Sequence, residues 1–149
     1  MLDMLSIKLT ALSELHKITM SDLKLYGTGR RKRSIARVFL KSGSGKIIIN
    51  GKNYKDYLCR DSLATIVTQP LALLEIEDSY DIDINVNGGG LTGQAGAIRL
   101  GISRALNTIN EDYRKIIKEK GFLTRDARKV ERKKPGQPGA RKNFQFSKR

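Results

Sequence analysis

"INVNGGGLTGQAGAI", residues 84–98, decides how this chain is read. Ahead of it, residues 80–87 alternate apolar and polar side chains, the period of a half-buried strand. Behind it, residues 91–109 carry apolar side chains at helical spacing. Ile98, Leu100, Ile102, Ala105, Leu106 and Ile109 are the candidate buried face, and Ala95 and Gly101 are small enough for close contact. Between the two lies Gly88-x-Gly90-x-x-Gly93, which has the letters of a dinucleotide-binding fingerprint.

The rest of the chain does not support that reading. A dinucleotide fold needs the helix to lead into a second parallel strand with an acid at its end. Glu111 and Asp112 lie at a suitable distance, but "NEDYRKIIKEKG" reads as a helix over 112–120, stopped by Gly121. Only a basic tail follows. The glycines read instead as a turn that takes φ > 0 and lets the helix lie close on the sheet. The bare N–H groups of such a helix start still attract phosphate, including that of RNA. "SGSGKI" is a second false match, because a phosphate loop needs Gly at 40 and Ser or Thr at 47, where the chain has Leu40 and Ile47. The acids of "EIEDSYDID" alternate along a strand and read as a solvated face, not a metal site.

Working back toward the N-terminus, residues 33–41 alternate Ile35, Arg37 and Phe39 against Ala36, Val38 and Leu40 and read as a strand. Ser42 to Gly45 is a turn, and residues 46–50 are expected to return as its hairpin partner, broken at Asn50-Gly51. A short strand over 23–26 is expected to enter Gly27-Thr28-Gly29. Short helices are expected over 54–58 and 61–68, the second capped by Asp61 and limited by Pro70. After Phe122 no periodicity remains, and the tail is expected to be disordered when alone in solution.

The charge is unevenly placed. Residues 26–41 hold six basic and no acidic side chains, residues 122–149 hold ten basic and two acidic, and residues 42–121 hold ten of each. Two segments therefore carry the formal net charge of +14, on a balanced globule. That is how a protein grips RNA or DNA through phosphates. One cysteine, Cys59, and one histidine, His16, cannot build a disulfide framework or a Cys/His zinc site. Cys59 reads as a small apolar filler, and no acid–base constellation is visible. No metal or other cofactor is expected, no long apolar run suggests a membrane span, and no small-molecule substrate is implied.

Residues 1–19 lack both the basic start and the apolar run of a signal peptide. They read as an extension that is either flexible or untranslated, with Met20 as an alternative start. Residues 20–122 then form a globular RNA-binding domain and residues 123–149 an extended basic tail.

"GTGRRKRSIARV", "GGGLTGQAGAIRLGISRAL" and "LTRDARKVERKKPGQPGARKNFQFSKR" together resemble the family of the ninth protein of the small ribosomal subunit, bacterial type. The resemblance runs in order from Leu25 to Arg149. It implies an α+β fold: a two-layer domain with helices on a mainly four-stranded sheet, like the second domain of the fifth small-subunit protein, with a left-handed β-α-β crossover. It implies no enzyme but a structural constituent of the subunit head in the cytoplasm, beside neighbouring head proteins. Small-subunit ribosomal RNA would be bound by Arg30, Arg31, Lys32, Arg33 and Arg37 near the first hairpin, and by Gln94, Arg99 and Arg104 on the long helix. Arg125, Arg128, Lys129, Arg132, Lys133, Lys134, Arg141 and Lys142 would bind it along the tail. The resemblance places contact with peptidyl-site tRNA on Ser147, Lys148 and Arg149, Arg149 being the main phosphate ligand. Phe144 and Phe146 would stack on bases or fill a small pocket. A free regulatory nucleic-acid binder with the same arms, and an enzyme using the glycine loop, are the rival readings.

Overall fold

The structure, a computed structural model, describes residues 25–147. Its centre is the unit that the glycines join, a strand over Tyr80–Asn87 followed by a helix over Leu91–Ile109. In chain order the elements are β1 (Leu25–Arg31), β2 (Ser34–Ser42), β3 (Ile47–Ile49), β4 (Lys52–Asn53), α1 (Tyr54–Leu58), α2 (Asp61–Leu73), β5 (Tyr80–Asn87), α3 (Leu91–Ile109) and α4 (Glu111–Glu119). The strands form one mixed sheet in the order β1-β2-β5-β3-β4, and the fold is α+β.

The alternation seen in the sequence sorts the sheet into two faces. Ala36, Val38 and Leu40 of β2, Ile47 and Ile49 of β3, and Ile82, Ile84 and Val86 of β5 point to one side. There they meet Leu63, Val67 and Leu71 of α2 and Ile98, Ile102 and Leu106 of α3 in one core. No second layer of helices among the described residues covers the other face. Of the expected core side chains on α3, Ile109 alone is only partly buried.

β1 is longer than expected. Gly27 and Gly29 lie inside the strand rather than in a turn after it. Their role is contact: a Cβ on Gly29 would lie 1.8 Å from the Ala97 carbonyl oxygen, and one on Gly27 would lie 2.2 Å from that of Gly101. The strand rests on the helix backbone itself, so no side chain fits between. The chain reverses instead at Lys32-Arg33, where Lys32 has φ 51°.

The expected pairing of β2 with β3 does not form. β5 inserts between them, antiparallel to β2 and parallel to β3. The connecting turn makes its bonds toward β5: Gly43 donates to the Ser79 carbonyl (3.1 Å), and the Asp81 carboxylate accepts from the backbone N–H of Ser44 (2.9 Å) and Lys46 (3.0 Å). Those bonds hold the Asp81 carboxyl below its ordinary pKa, the Lys46 N–H contributing most. Asp81 is thus a turn clamp. β4 arises at Asn50-Gly51, where φ is 49° and 79°, the two positive values of a type I′ hairpin turn, and makes the sheet five-stranded rather than four-stranded. The Asn50 side chain continues the β3 ladder, donating to the Val86 carbonyl (2.9 Å) and accepting from its N–H (3.0 Å).

Three smaller expectations are corrected. Asp61 is the first residue of α2, while the capping position is Arg60, with no side-chain cap. Pro70 does not limit that helix, which runs through it to Leu73 and buries the ring. Cys59 is exposed, because it ends α1 in the left-handed region (φ 55°) and its side chain turns outward.

Candidate nucleic-acid interface

The glycine turn packs against the β1–β2 hairpin tip. Gly88 and Gly89 have φ 75° and 65°, and a Cβ on either would strike the tip: the Arg33 carbonyl oxygen at 2.6 Å for Gly88, the Ser34 Oγ at 2.2 Å for Gly89. Buried Ser34 joins the two, donating to the Gly88 carbonyl at 2.9 Å. Sequence reading passed over Ser34, although a polar residue opening a strand that then alternates is a visible signal. Gly90 then starts α3 without a side-chain cap, and no acidic residue stands in the first turn.

This arrangement sets Lys32 and Arg33 beside the bare start of α3. The tail passes the same place. Lys32, Arg33, Gly89 and Gly90 face residues 127–133, including Arg128, Lys129, Arg132 and Lys133, across an open cleft of about 1170 Å³. The two basic segments, far apart in sequence, are brought together. Cations and free amide donors around a cleft suit the phosphates of a folded nucleic acid.

The tail is held there by its root. Phe122 donates its N–H to the Ile117 carbonyl (3.1 Å), and its ring lies 5.0 Å from the Arg99 guanidinium. Asp126 then receives a fork from Arg128 (3.1 and 3.0 Å) together with that residue's N–H (3.1 Å), and Arg31 reaches it from the domain at 3.4 Å. The Arg128 side-chain bond, then its N–H, hold the Asp126 carboxyl far below the usual carboxylate range, and the Arg31 charge adds to this. Farther out, Arg141 grips Glu131 with a second fork (2.9 and 2.6 Å). Among the described residues the tail has no helix or strand, but both of its acids are engaged.

The residues expected to face RNA are placed differently by the fold. Lys32, Arg33, Lys129, Arg132 and Lys133 line the cleft, and Arg125, Lys134 and Lys142 are exposed nearby in the chain. Arg30 and Arg37 lie on the open sheet face, and exposed Arg104 donates to the Thr28 carbonyl at 2.7 Å. Arg128 and Arg141 stay exposed while holding their carboxylates. Gln94 belongs to neither surface. It is buried, accepting from the Tyr57 hydroxyl (3.0 Å) and donating to the Gly88 carbonyl (3.2 Å), so its polar atoms support the glycine turn from inside. Arg99 and Arg31 are also drawn inward. Arg99 binds Gln69 (2.9 Å), and burial, then the Arg31 charge, lower its pKa; Arg31 lies over Gly96. Ser147 is exposed, whereas Lys148, Arg149, His16 and residues 1–19 lie outside the described residues.

No group of three His, Cys, Asp or Glu side chains among the described residues could hold a metal ion, and no described helix is long and apolar enough to cross a membrane.

Comparison with known proteins identifies the family. The family described as "Ribosomal protein S9/S16" matches residues 29–149. The chain is 58% identical over 123 residues to "Small ribosomal subunit protein uS9" of Borrelia duttonii (strain Ly), covering 83% of this chain and 90% of that protein. It is equally similar, over the same shares, to the protein of that name from Borrelia recurrentis (strain A1), and 54% identical to that of Borrelia turicatae (strain 91E135). The chain therefore belongs to the ribosomal protein S9/S16 family: it is a structural constituent of the small ribosomal subunit in the cytoplasm, with ribosomal RNA as partner, and not an enzyme.

Proposed function

We propose that the chain locks ribosomal RNA in the subunit head at the cleft between the hairpin tip, the glycine turn and the tail, and that the tail end reaches peptidyl-site tRNA. The convergence of Lys32, Arg33, Lys129, Arg132 and Lys133 on one cleft supports the first part. Phosphates bound there would meet side-chain cations on two sides and backbone donors on a third. The outer tail leaves the domain with exposed Lys142, Phe144, Phe146 and Ser147, and nothing described holds its end to the globule. That, with the matching Ser-Lys-Arg terminus, supports the second part.

The tRNA reading is tested on small subunits carrying the protein truncated after Ser147. Each lost charge-assisted contact is worth roughly 1.5–3 kcal/mol at most, and phosphate contacts carry no sequence information. Faster dissociation of tRNA from the peptidyl site, similar for different tRNAs, is the expected result. Rates equal to those of intact subunits at matched salt and magnesium would show that these residues do not hold tRNA.

A further inference from the structure

The open face of the sheet is a structured surface that the cleft and the tail leave unused. The strand registers arrange it in rows. Tyr26 of β1, Phe39 of β2, Asp83 of β5 and Ile48 of β3 lie side by side. The next row is Thr28, Arg37 and Asn85, and the one after is Arg30, Ile35 and Asn87. Tyr26 and Phe39 form a tilted aromatic pair with ring centroids 5.2 Å apart, and Thr28 donates to the Tyr26 hydroxyl at 2.9 Å, steadying that ring. Tyr26 is 48% exposed and its neighbour on the face, Ile35, 44%, while Phe39 is half-buried, so the pair is built but only partly covered.

The surroundings say what would cover it. Arg30 and Arg37 flank the aromatics on one side and Lys41 on the other. The face carries two carboxylates in this part, and Asp81 is already engaged by the β2–β3 turn, leaving Asp83. A protein surface docking on an aromatic pair asks for apolar surroundings, whereas this pair stands among cations and amides. Flat aromatic rings beside cations, with Asn85 and Asn87 able to donate and accept toward base edges, match an unpaired nucleotide stacked over the rings with its phosphates on Arg37 and Lys41.

We propose that the open sheet face is a second RNA site, taking one or two unpaired bases of ribosomal RNA on Tyr26 and Phe39. It rests on the reading that the chain binds ribosomal RNA, and differs from the cleft in recognising base planes, not phosphates alone. Zero-length ultraviolet cross-linking of assembled small subunits, followed by digestion and mass spectrometry, tests it directly. Nucleotide adducts are expected on the peptides containing Tyr26 or Phe39. Adducts confined to cleft and tail peptides, or cross-links from these rings to a neighbouring protein, would overturn the proposal while leaving the cleft reading intact.

A second measurement uses the full chain and a single-stranded oligoadenylate. The Tyr26→Leu/Phe39→Leu variant keeps apolar volume but removes the rings. It should bind about tenfold more weakly, the effect of losing a stacked base, with an unchanged salt slope. Arg37→Gln should instead lower the slope by about one phosphate's share. Equal affinity of the double leucine variant and the parent would refute the site. Absence of RNA binding by the parent chain would instead refute the reading on which the site rests.

Discussion

Single residues set how close the strand and the helix can come. Gly29 sits where a methyl group would collide with the backbone of α3, whereas a Cβ on Gly90 meets nothing within 4 Å. Backbone cannot move aside as a flexible side chain can, so Gly29→Ala should destabilise the domain by about 1–3 kcal/mol or more through overpacking. Gly90→Ala should cost less than about 1 kcal/mol, the difference between these residues at a helix cap. Urea denaturation of the two variants checks the contrast; equal costs would mean that the β1–α3 contact is looser than described. Asp126 makes a pH prediction at the same scale. Its folded pKa lies below the ordinary 3.8, so it favours the docked tail root above that value and loses this contribution as pH falls toward the folded value. Amide protection at residues 122–128, measured relative to the intrinsic exchange rate at each pH, should therefore fall in acid below that value, and Asp126→Asn should abolish this pH dependence of protection. The pair is exposed enough that added salt should weaken the effect.

At the scale of elements, the β1–β2 hairpin combines strain with function. Lys32 holds φ 51°, a conformation that costs a non-glycine residue about 1–2 kcal/mol. Glycine relieves that strain but brings its own entropy loss of about 0.5–1 kcal/mol. Lys32→Gly should therefore stabilise the domain slightly, by about 0.5–1 kcal/mol. The same change removes a cation from the cleft and should lower the salt dependence of RNA binding by about one phosphate's share. Denaturation midpoints and salt titrations together check this; a variant that loses stability without losing salt dependence would place Lys32 in the fold and not in the interface. Element identities were largely legible beforehand. Tyr80–Asn87 and Leu91–Ile109 follow from periods of two and 3.6 that need no tertiary information. The short β4 was missed, although Asn50-Gly51 is a strong hairpin signal, because a strand of only two residues shows no alternation.

On the scale of the whole molecule, a charge-balanced globule holds two basic segments against each other. Phosphate contacts should then dominate affinity. If the chain contacts about 6–10 phosphates, RNA binding should fall roughly 10³- to 10⁵-fold between about 50 and 200 mM salt. A nearly flat response would point to base or apolar recognition instead. The tail root also marks where the folded part ends. A chain ending at Arg128 retains Phe122, Asp126 and the Arg128 fork, and should unfold as cooperatively as the full chain while binding RNA more weakly. A chain ending at Phe122 loses the Asp126 tie to Arg31 and should show faster exchange at the end of α4.

The sequence by itself determined the charge segregation, the strand and helix on either side of the glycines, the exclusion of a dinucleotide fold and the family. Each of these depends on composition, on local periods or on residue order, which are properties of the chain before it folds. Tertiary structure alone decided that β5 separates β2 from β3, since pairing is non-local and the turn's bonding partners lie 35 or more residues away, as Lys46 with Asp81 and Gly43 with Ser79 show. It also decided which polar residues stay available. Gln94 and Arg99 look like surface residues of a basic helix, yet Tyr57, Gly88, Gln69 and Phe122 converge on them from four other parts of the chain. A buried polar group must find partners inside, and which partners lie close is settled only when the layers pack.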